Sequence, residues 1–306
     1  MKKRLKWIIP IIVIVCAIIT VIVINIYQKN KREEHHKYTL KLEQEHATDE
    51  LPDSYEVQKD EYGLSGPYEE AGYVIWDSIM FGNYYQSNDT QKEPIRWRVL
   101  SVDGDEAFLL SEKALDCQKY NNDLEDVTWE TCSLRKWLNT KFYDEAFNDN
   151  EKEAIYSTKV KNRFYYEYGE PGKDTKDKVY LLSCIEHSDS RLGFEYDSVN
   201  RKMANACMPT EYAKKQGCRF DEYKEDFTNG EYGPNPKYGA CSWWGRDPYG
   251  RNTEAYSYNY RSLMSDGVEV NESDIGVRPV INIDLSKNNW KKGEEVQAII
   301  DNSYVD

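Results

Sequence analysis

Catalytic signatures are what this sequence lacks most. It contains no Gly-x-Ser-x-Gly, His-Glu-x-x-His, P-loop or Gly-x-Gly-x-x-Gly, the spacings that present a nucleophile, a zinc pair or a phosphate cradle. Histidine is scarce, with four residues in 306, and three of them, His35, His36 and His46, stand in a highly charged stretch. Only His187 remains for the rest of the chain. Histidine is the usual general base at neutral pH, so few hydrolase designs survive. Beside Glu186 and Asp189, His187 reads as a surface or internally satisfied residue. Basic charge is also short. Lys and Arg number 40 against 54 Asp and Glu, and seven of those basic residues but no acid fall in residues 1–32, leaving 33 against 54. Such a surface repels nucleic acid and anionic lipid, so neither is an expected partner.

What is present begins with one apolar run in a chain whose mean hydropathy is -0.82. Trp7–Tyr27 carries no charge, is rich in Ile and Val, and follows Lys2, Lys3, Arg4 and Lys6. As a helix it measures roughly 31 Å, the thickness of a bilayer's hydrocarbon layer. A cleaved signal peptide is the competing reading. It needs a shorter apolar core and a small-x-small site, whereas Asn25-Ile26-Tyr27-Gln28-Lys29 offers none, and Val13-Ile14-Val15-Cys16 lacks the small residues of a lipobox. The expectation is an uncleaved single-pass anchor in the cell membrane. Basic residues flank both of its ends and favour the N-terminus inside only slightly; the acidic remainder places the C-terminal domain outside. This divides the chain into a cytoplasmic tail (1–6), an anchor (7–27), a charged stalk and linker (28–72), a globular domain (73–290) and an acidic tail (291–306).

Cys16 lies in the apolar run, leaving Cys117, Cys132, Cys184, Cys207, Cys218 and Cys241. An even count outside the membrane fits up to three disulfides, with 15 connectivities open. Cys117–Cys132, which flank a polar loop, are the first pair to expect. Unpaired buried thiols are the alternative. Zinc is a weaker one, because Cys184-x-x-His187 has no second closely spaced ligand pair; no metal and no cofactor are expected.

Periodicity gives an α+β domain of antiparallel strands and short helices. Ile95, Trp97 and Val99 alternate with Arg96, Arg98 and Leu100, and Asp103-Gly104 turns that strand into Glu106–Ser111. Ser133–Asn139 has a helical apolar stripe capped by Ser133 or Thr131; Asn148-x-x-Glu151 is a capping-box start for a helix ending near Ile155. Val179–Leu182 reads as a buried strand, and Thr210–Gln216 as a helix opened by Pro209 and closed by Gly217. Strands return at Ala240–Trp244, Ala255–Tyr258, Leu263–Ser265, Val268–Val270 and Val277–Ile283, with a second hairpin at Asp266-Gly267. Pairing of the first and last strands would join the domain's ends.

An ordered series of short motifs adds a resemblance: Trp97-Arg98-Val99-Leu100, Ala107–Ser111, Thr128-Trp129-Glu130, Ser133-Leu134-Arg135-x-Trp137-Leu138-Asn139, Tyr180–Ser183, Pro209–Ala213, Trp243-Trp244-x-Arg246 and Gly276-Val277-Arg278-Pro279. Over about residues 73–290 it resembles a bacterial extracellular family, domain of unknown function 6273. The Trp pair and closing Gly-x-Arg strand are similar to C-type-lectin-like and sulfatase-modifying-factor domains, which implies that fold. Two departures narrow the implication. Gly245 stands where members often have Leu, which would alter the loop. The calcium-site motifs of lectins, Glu-Pro-Asn or Gln-Pro-Asp with a later Trp-Asn-Asp, are missing, so calcium-dependent sugar binding is not implied. Nor does any Cys-x4-Cys pair in the last third match a sulfatase-modifying redox site.

The functional expectation rests on Gly233–Tyr260. Tyr238 and the set Trp244, Arg246, Asp247, Tyr249, Arg251, Tyr256, Tyr258 and Tyr260 mix aromatic area with adaptable polar groups, as binding loops do. The expected role is a non-catalytic extracellular binding module for a glycan or protein ligand. A structural envelope-associated protein and an enzyme, sulfatase-modifying-factor-like or glycan-active, are the alternatives. Tyr256, Tyr258 and Tyr260 share strand parity and are expected to face solvent, the core being the opposing possibility. At least one of Trp243 and Trp244 belongs to the core, and Arg278 is expected to be buried against a carboxylate.

Overall fold

The computed structural model describes Cys16, residues 18–24, Ile26, and residues 51–163, 169–194, 202–203, 206–228, 231–234, 238–258 and 265–300. Of the expected anchor, Cys16, residues 18–24 and Ile26 are described and helical, with their apolar side chains exposed. No helix among the described residues is long and apolar enough to cross a membrane. The charged stretch 28–50 lies outside the described residues.

Ser78–Tyr85 (β1), Lys92–Asp103 (β2) and Glu106–Ser111 (β3) form an antiparallel meander, and Asp116–Cys117 (β4) follows. The last third supplies Trp243–Tyr249 (β5), Arg251–Tyr258 (β6), Ser265–Glu269 (β7), Gly276–Val277 (β8), Val280–Asp284 (β9) and Lys291–Lys292 (β10). One five-stranded sheet runs β9-β3-β2-β1-β10 and the other β7-β6-β5-β8-β4. Each therefore joins early and late segments of the chain, and a single apolar core containing Trp76, Trp97, Trp129, Trp243 and Trp244 continues between them. The fold is mixed α+β with antiparallel sheets and few short helices.

Local chemistry accounts for several elements. Asp103 pairs with Glu106 across the Asp-Gly turn. Ser133–Trp137 (α1) starts at Cys132 without a side-chain cap and runs into a π-turn over Leu138–Phe142. Asp149–Ala154 (α2) opens on a complete Asn148/Glu151 capping box. Cys184–His187 (α3) has the same device from Ser183 and Glu186. Thr210 caps Glu211–Lys215 (α4) by accepting from the Ala213 amide. Such caps satisfy amides that the first helical turn leaves open.

Four expectations change. Neither Ser133 nor Thr131 caps α1; its first amide, Ser133 N, donates to Asn121 Oδ1 from outside the helix (3.1 Å). Val179–Leu182 is buried but makes only an isolated bridge, Tyr180 to Val280. Asp266-Gly267 is not a turn; both lie inside β7, opposite Ser257 and Tyr256. A Cβ on Gly267 would stand 2.1 Å from the Tyr249 ring, so glycine is there for close approach. The folded region also exceeds 73–290. Leu64 and Tyr68 are core residues, Tyr68–Glu70 pairs with Tyr73–Trp76, and Val296–Gln297 pairs with that strand from the other end of the chain.

Candidate functional site

β5 is buried from Trp243 to Asp247 and only half-buried at its tip, Pro248–Tyr249. Both tryptophans are core, because the strand is covered on two sides. The Tyr120 ring lies 5.6 Å from Trp244, whose Nε1 donates to the Gln118 carbonyl (2.8 Å). On the other side Trp243 meets Tyr258 (4.2 Å between ring centroids) and His187 (5.4 Å). Gly245 sits within the strand: a Cβ there would press on Tyr258, Tyr256 and the Leu182 carbonyl, which accepts from the Arg246 amide.

The expected recognition surface is therefore mostly interior. Trp244, Arg246, Asp247, Tyr256 and Tyr258 are all buried. The physical reason is α3, which packs against β5 so that the Tyr258 side facing it is dry. His187 stacks on Tyr258 at 3.6 Å and on Phe194 at 5.0 Å. Tyr249 is half-buried, edge-on to Tyr256, and Arg251 alone of the described set is exposed, beside Glu254. Tyr260 lies outside the described residues.

Two of the buried arginines organise the polar interior here. Arg246 gives its Nη1 and Nη2 to Glu186 and to the carbonyls of Leu181 (2.8 Å) and Lys161 (3.2 Å), leaving Nε without a partner. Next to it, Asp247 accepts from the Cys184 amide (2.6 Å). Burial raises its carboxyl to about 6 against the pull of Arg246. Arg278 is the inverse. Its Nε donates to the Ser111 carbonyl (2.9 Å), while Nη1 and Nη2 have no hydrogen-bond partner. A carboxylate is near, but Glu112 gives its hydrogen bonds and ion pair to Arg98 and acts on Arg278 only through space. Arg278 instead lies 5.0 Å from the Trp243 ring. Its charge reaches His187, whose imidazole is held well below its ordinary range by burial first and Arg278 second.

The cysteines are unbridged thiols, and Cys117 and Cys132 do not face one another. Cys132 starts α1 and points its sulfur at the Trp129 carbonyl, near the Tyr120 hydroxyl. Cys117, in β4, donates to the Ser273 carbonyl (3.2 Å) and is in thiol contact with Cys218. Contacts continue from Cys218 to Cys241 and from Cys241 to Cys207. Cys184 stands apart, next to Tyr258 and Asp247. Among the described residues no three His, Cys, Asp or Glu side chains converge to hold a metal.

Two exposed tyrosines stand at the start of the expected stretch and just upstream of it. Tyr223 (70% exposed) and Tyr238 (45%) flank the hairpin Glu225–Thr228/Glu231–Pro234, with the Lys224 ammonium 5.8 Å from the Tyr238 ring. Asp221 builds this neck, accepting from the Gly239 amide and donating its own to the Ala240 carbonyl. Tyr238 falls in Gly233–Tyr260. Tyr223 was missed because Tyr238, at the other end of the hairpin, is fifteen residues away and no local pattern links them.

The motif residues that carry the family resemblance have structural work. Trp129 Nε1, Arg135 Nε and Thr175 Oγ1 all donate to the buried Asp177. Trp97 Nε1 donates to the Phe81 carbonyl. No curated protein and no solved structure matches the chain. The sequence profile of one family, domain of unknown function (DUF6273), matches residues 104–285, which covers β3 through β9 and more than half of the chain. The chain belongs to that family.

Proposed function

We propose that the chain is a membrane-anchored, non-catalytic binding module that holds a glycan or protein ligand on the outer side of the membrane. The observation that carries this reading is the exposed aromatic neck, Tyr223, Lys224 and Tyr238, set on a folded base. Exposed tyrosines give large contact area with few rotamers to freeze, and a nearby ammonium adds a polar contact. The half-buried Tyr249 and exposed Arg251 at the β5–β6 tip extend the same chemistry. Part of the interior supports the non-catalytic reading: Cys184, His187 and Asp247 are buried, His187 stacks on aromatic rings, and Asp247 accepts from the Cys184 amide. The exposed apolar side chains of the helical residues near the N-terminus, which water solvates poorly, support the anchor, and the acidic charge of the remainder supports the outer location. A C-type-lectin-like fold remains part of this proposal and rests on the Trp-Trp and Gly-x-Arg motifs.

The test is capture of glycan and cell-wall fractions by the detergent-purified chain, compared with a Tyr223→Ala/Tyr238→Ala variant. The expected result is an unchanged melting temperature and at least tenfold weaker capture. Undiminished capture by the variant would remove the neck as the site.

A further inference from the structure

The thiols of Cys117, Cys218, Cys241 and Cys207 form a string in which each end has one neighbour. Cys218 touches both Cys117 and Cys241, and Cys241 touches both Cys218 and Cys207. If all four sulfurs pair, only one arrangement uses existing contacts. We propose that Cys117–Cys218 and Cys207–Cys241 are the two disulfides of this domain in its oxidised form, and that Cys132 and Cys184 stay thiols.

The backbone supports both pairs. The Cys241 amide donates to the Cys207 carbonyl at 2.8 Å, which bounds their Cα separation at roughly 6.7 Å by bond geometry, inside the span of a disulfide. Cys117 lies opposite Gly276 in the β4–β8 pair, and Gly276 is the spacer through which Cys218 approaches. A Cβ there would stand 3.3 Å from the Cys218 sulfur and 2.8 Å from Ala114 Cβ. Among the described residues, no three of these thiols converge on one point, as the ligands of a metal centre do.

Acid–base balance adds to the geometry. In each pair one thiol is raised and the other lowered. Cys117 is raised by its contact with Cys218 and by burial, and Cys218 is lowered by accepting from Cys117 and Cys241. Cys241 is raised by burial and by its neighbours. Cys207 is lowered although burial opposes it, because Cys241 donates to it and Arg278 stands close. Arg278 and Cys207 thus interact electrostatically, each shifting the other towards its charged form. Oxidation proceeds by ordinary exchange. The Cys218 thiolate attacks one sulfur of a small-molecule disulfide, releasing one thiolate. Cys117, losing its proton, then attacks the Cys218 sulfur and releases the second. Two electrons pass to the oxidant, which leaves as two thiols, and one protein S–S bond forms. Cys207 and Cys241 repeat the sequence with a second equivalent.

The experiment is peptide mapping of the full chain, purified under native conditions, treated with glutathione disulfide, alkylated and digested without reduction. The expected products are a Cys117–Cys218 peptide, a Cys207–Cys241 peptide, and alkylated Cys132 and Cys184. A Cys218–Cys241 bridge, any bridge to Cys132 or Cys184, or alkylation of all six cysteines beyond Cys16 would overturn the proposal. A Cys117→Ser/Cys218→Ser variant should retain the Cys207–Cys241 link, and its loss would count against two independent pairs. The oxidised wild-type chain should melt higher than the reduced one; an equal or lower melting temperature would show that the bridges do not fit the native geometry.

Discussion

Arg246 and Arg278 are both buried, yet they are bound in opposite ways. The Arg246 fork is filled by Glu186 and two carbonyls and its Nε is bare. The Arg278 Nε is bonded and its fork is bare. A buried charge with a partner is costly to break, whereas one without a partner is costly to keep. The first arginine is thus a clamp between β5 and α3. The second keeps its fork without hydrogen bonds and acts through space on Glu112 and on Cys207.

The largest effect is expected where the clamp is opened. Glu186→Ala strands the Arg246 guanidinium and removes the α3 capping box, and should destabilise by about 3 kcal/mol; a melt within a degree of wild type would mean the pair is not needed. Tyr258→Ala removes the ring between His187 and Trp243 and should cost about 3 kcal/mol as well. That contradicts a surface role for Tyr258, which would leave the melting temperature unchanged while weakening ligand capture.

Acid dependence separates the two regions further. His187, near Arg278, stays neutral in the folded chain while the unfolded chain takes a proton below about 6.5. Its contribution is present above that pH and is lost as pH falls. Asp247, near Arg246, has the opposite sign. Its folded value of about 6 exceeds the unfolded one, so its contribution is full below the unfolded value near 4 and declines as pH rises towards 6. His187→Phe should therefore flatten the loss of stability between pH 6.5 and 4, and Asp247→Asn should steepen it. Chemical denaturation across that range reads both; identical slopes in the two variants would refute the assignment.

How much of this was legible in sequence depends on the reach of each signal. The Asp103-Gly104 turn and the Asn148/Glu151 capping box are local patterns, and each appears in the structure where its residues stand. Parity of Tyr256 and Tyr258 was visible too, but which side is dry depends on α3, about seventy residues upstream. The Cys117–Cys218 contact spans about 100 residues and arises from β4–β8 pairing, which no spacing announces. A bridge closing such a loop would stabilise by about 4.7 kcal/mol in a chain-entropy estimate, so the least legible contact carries a large consequence.

The central contrast is tested most directly by melting Arg246→Met and Arg278→Met side by side under reducing conditions. Arg246→Met leaves Glu186 and two carbonyls without their donor and should cost about 3 kcal/mol, a fall of roughly 6–12 °C for a domain of this size. Arg278→Met gives up one hydrogen bond and the attraction to Glu112 and Cys207, but also removes a buried guanidinium whose two Nη groups have no hydrogen-bond partner, and should stay within about 1 kcal/mol of wild type. Equal losses, or a larger loss for Arg278→Met, would contradict the account.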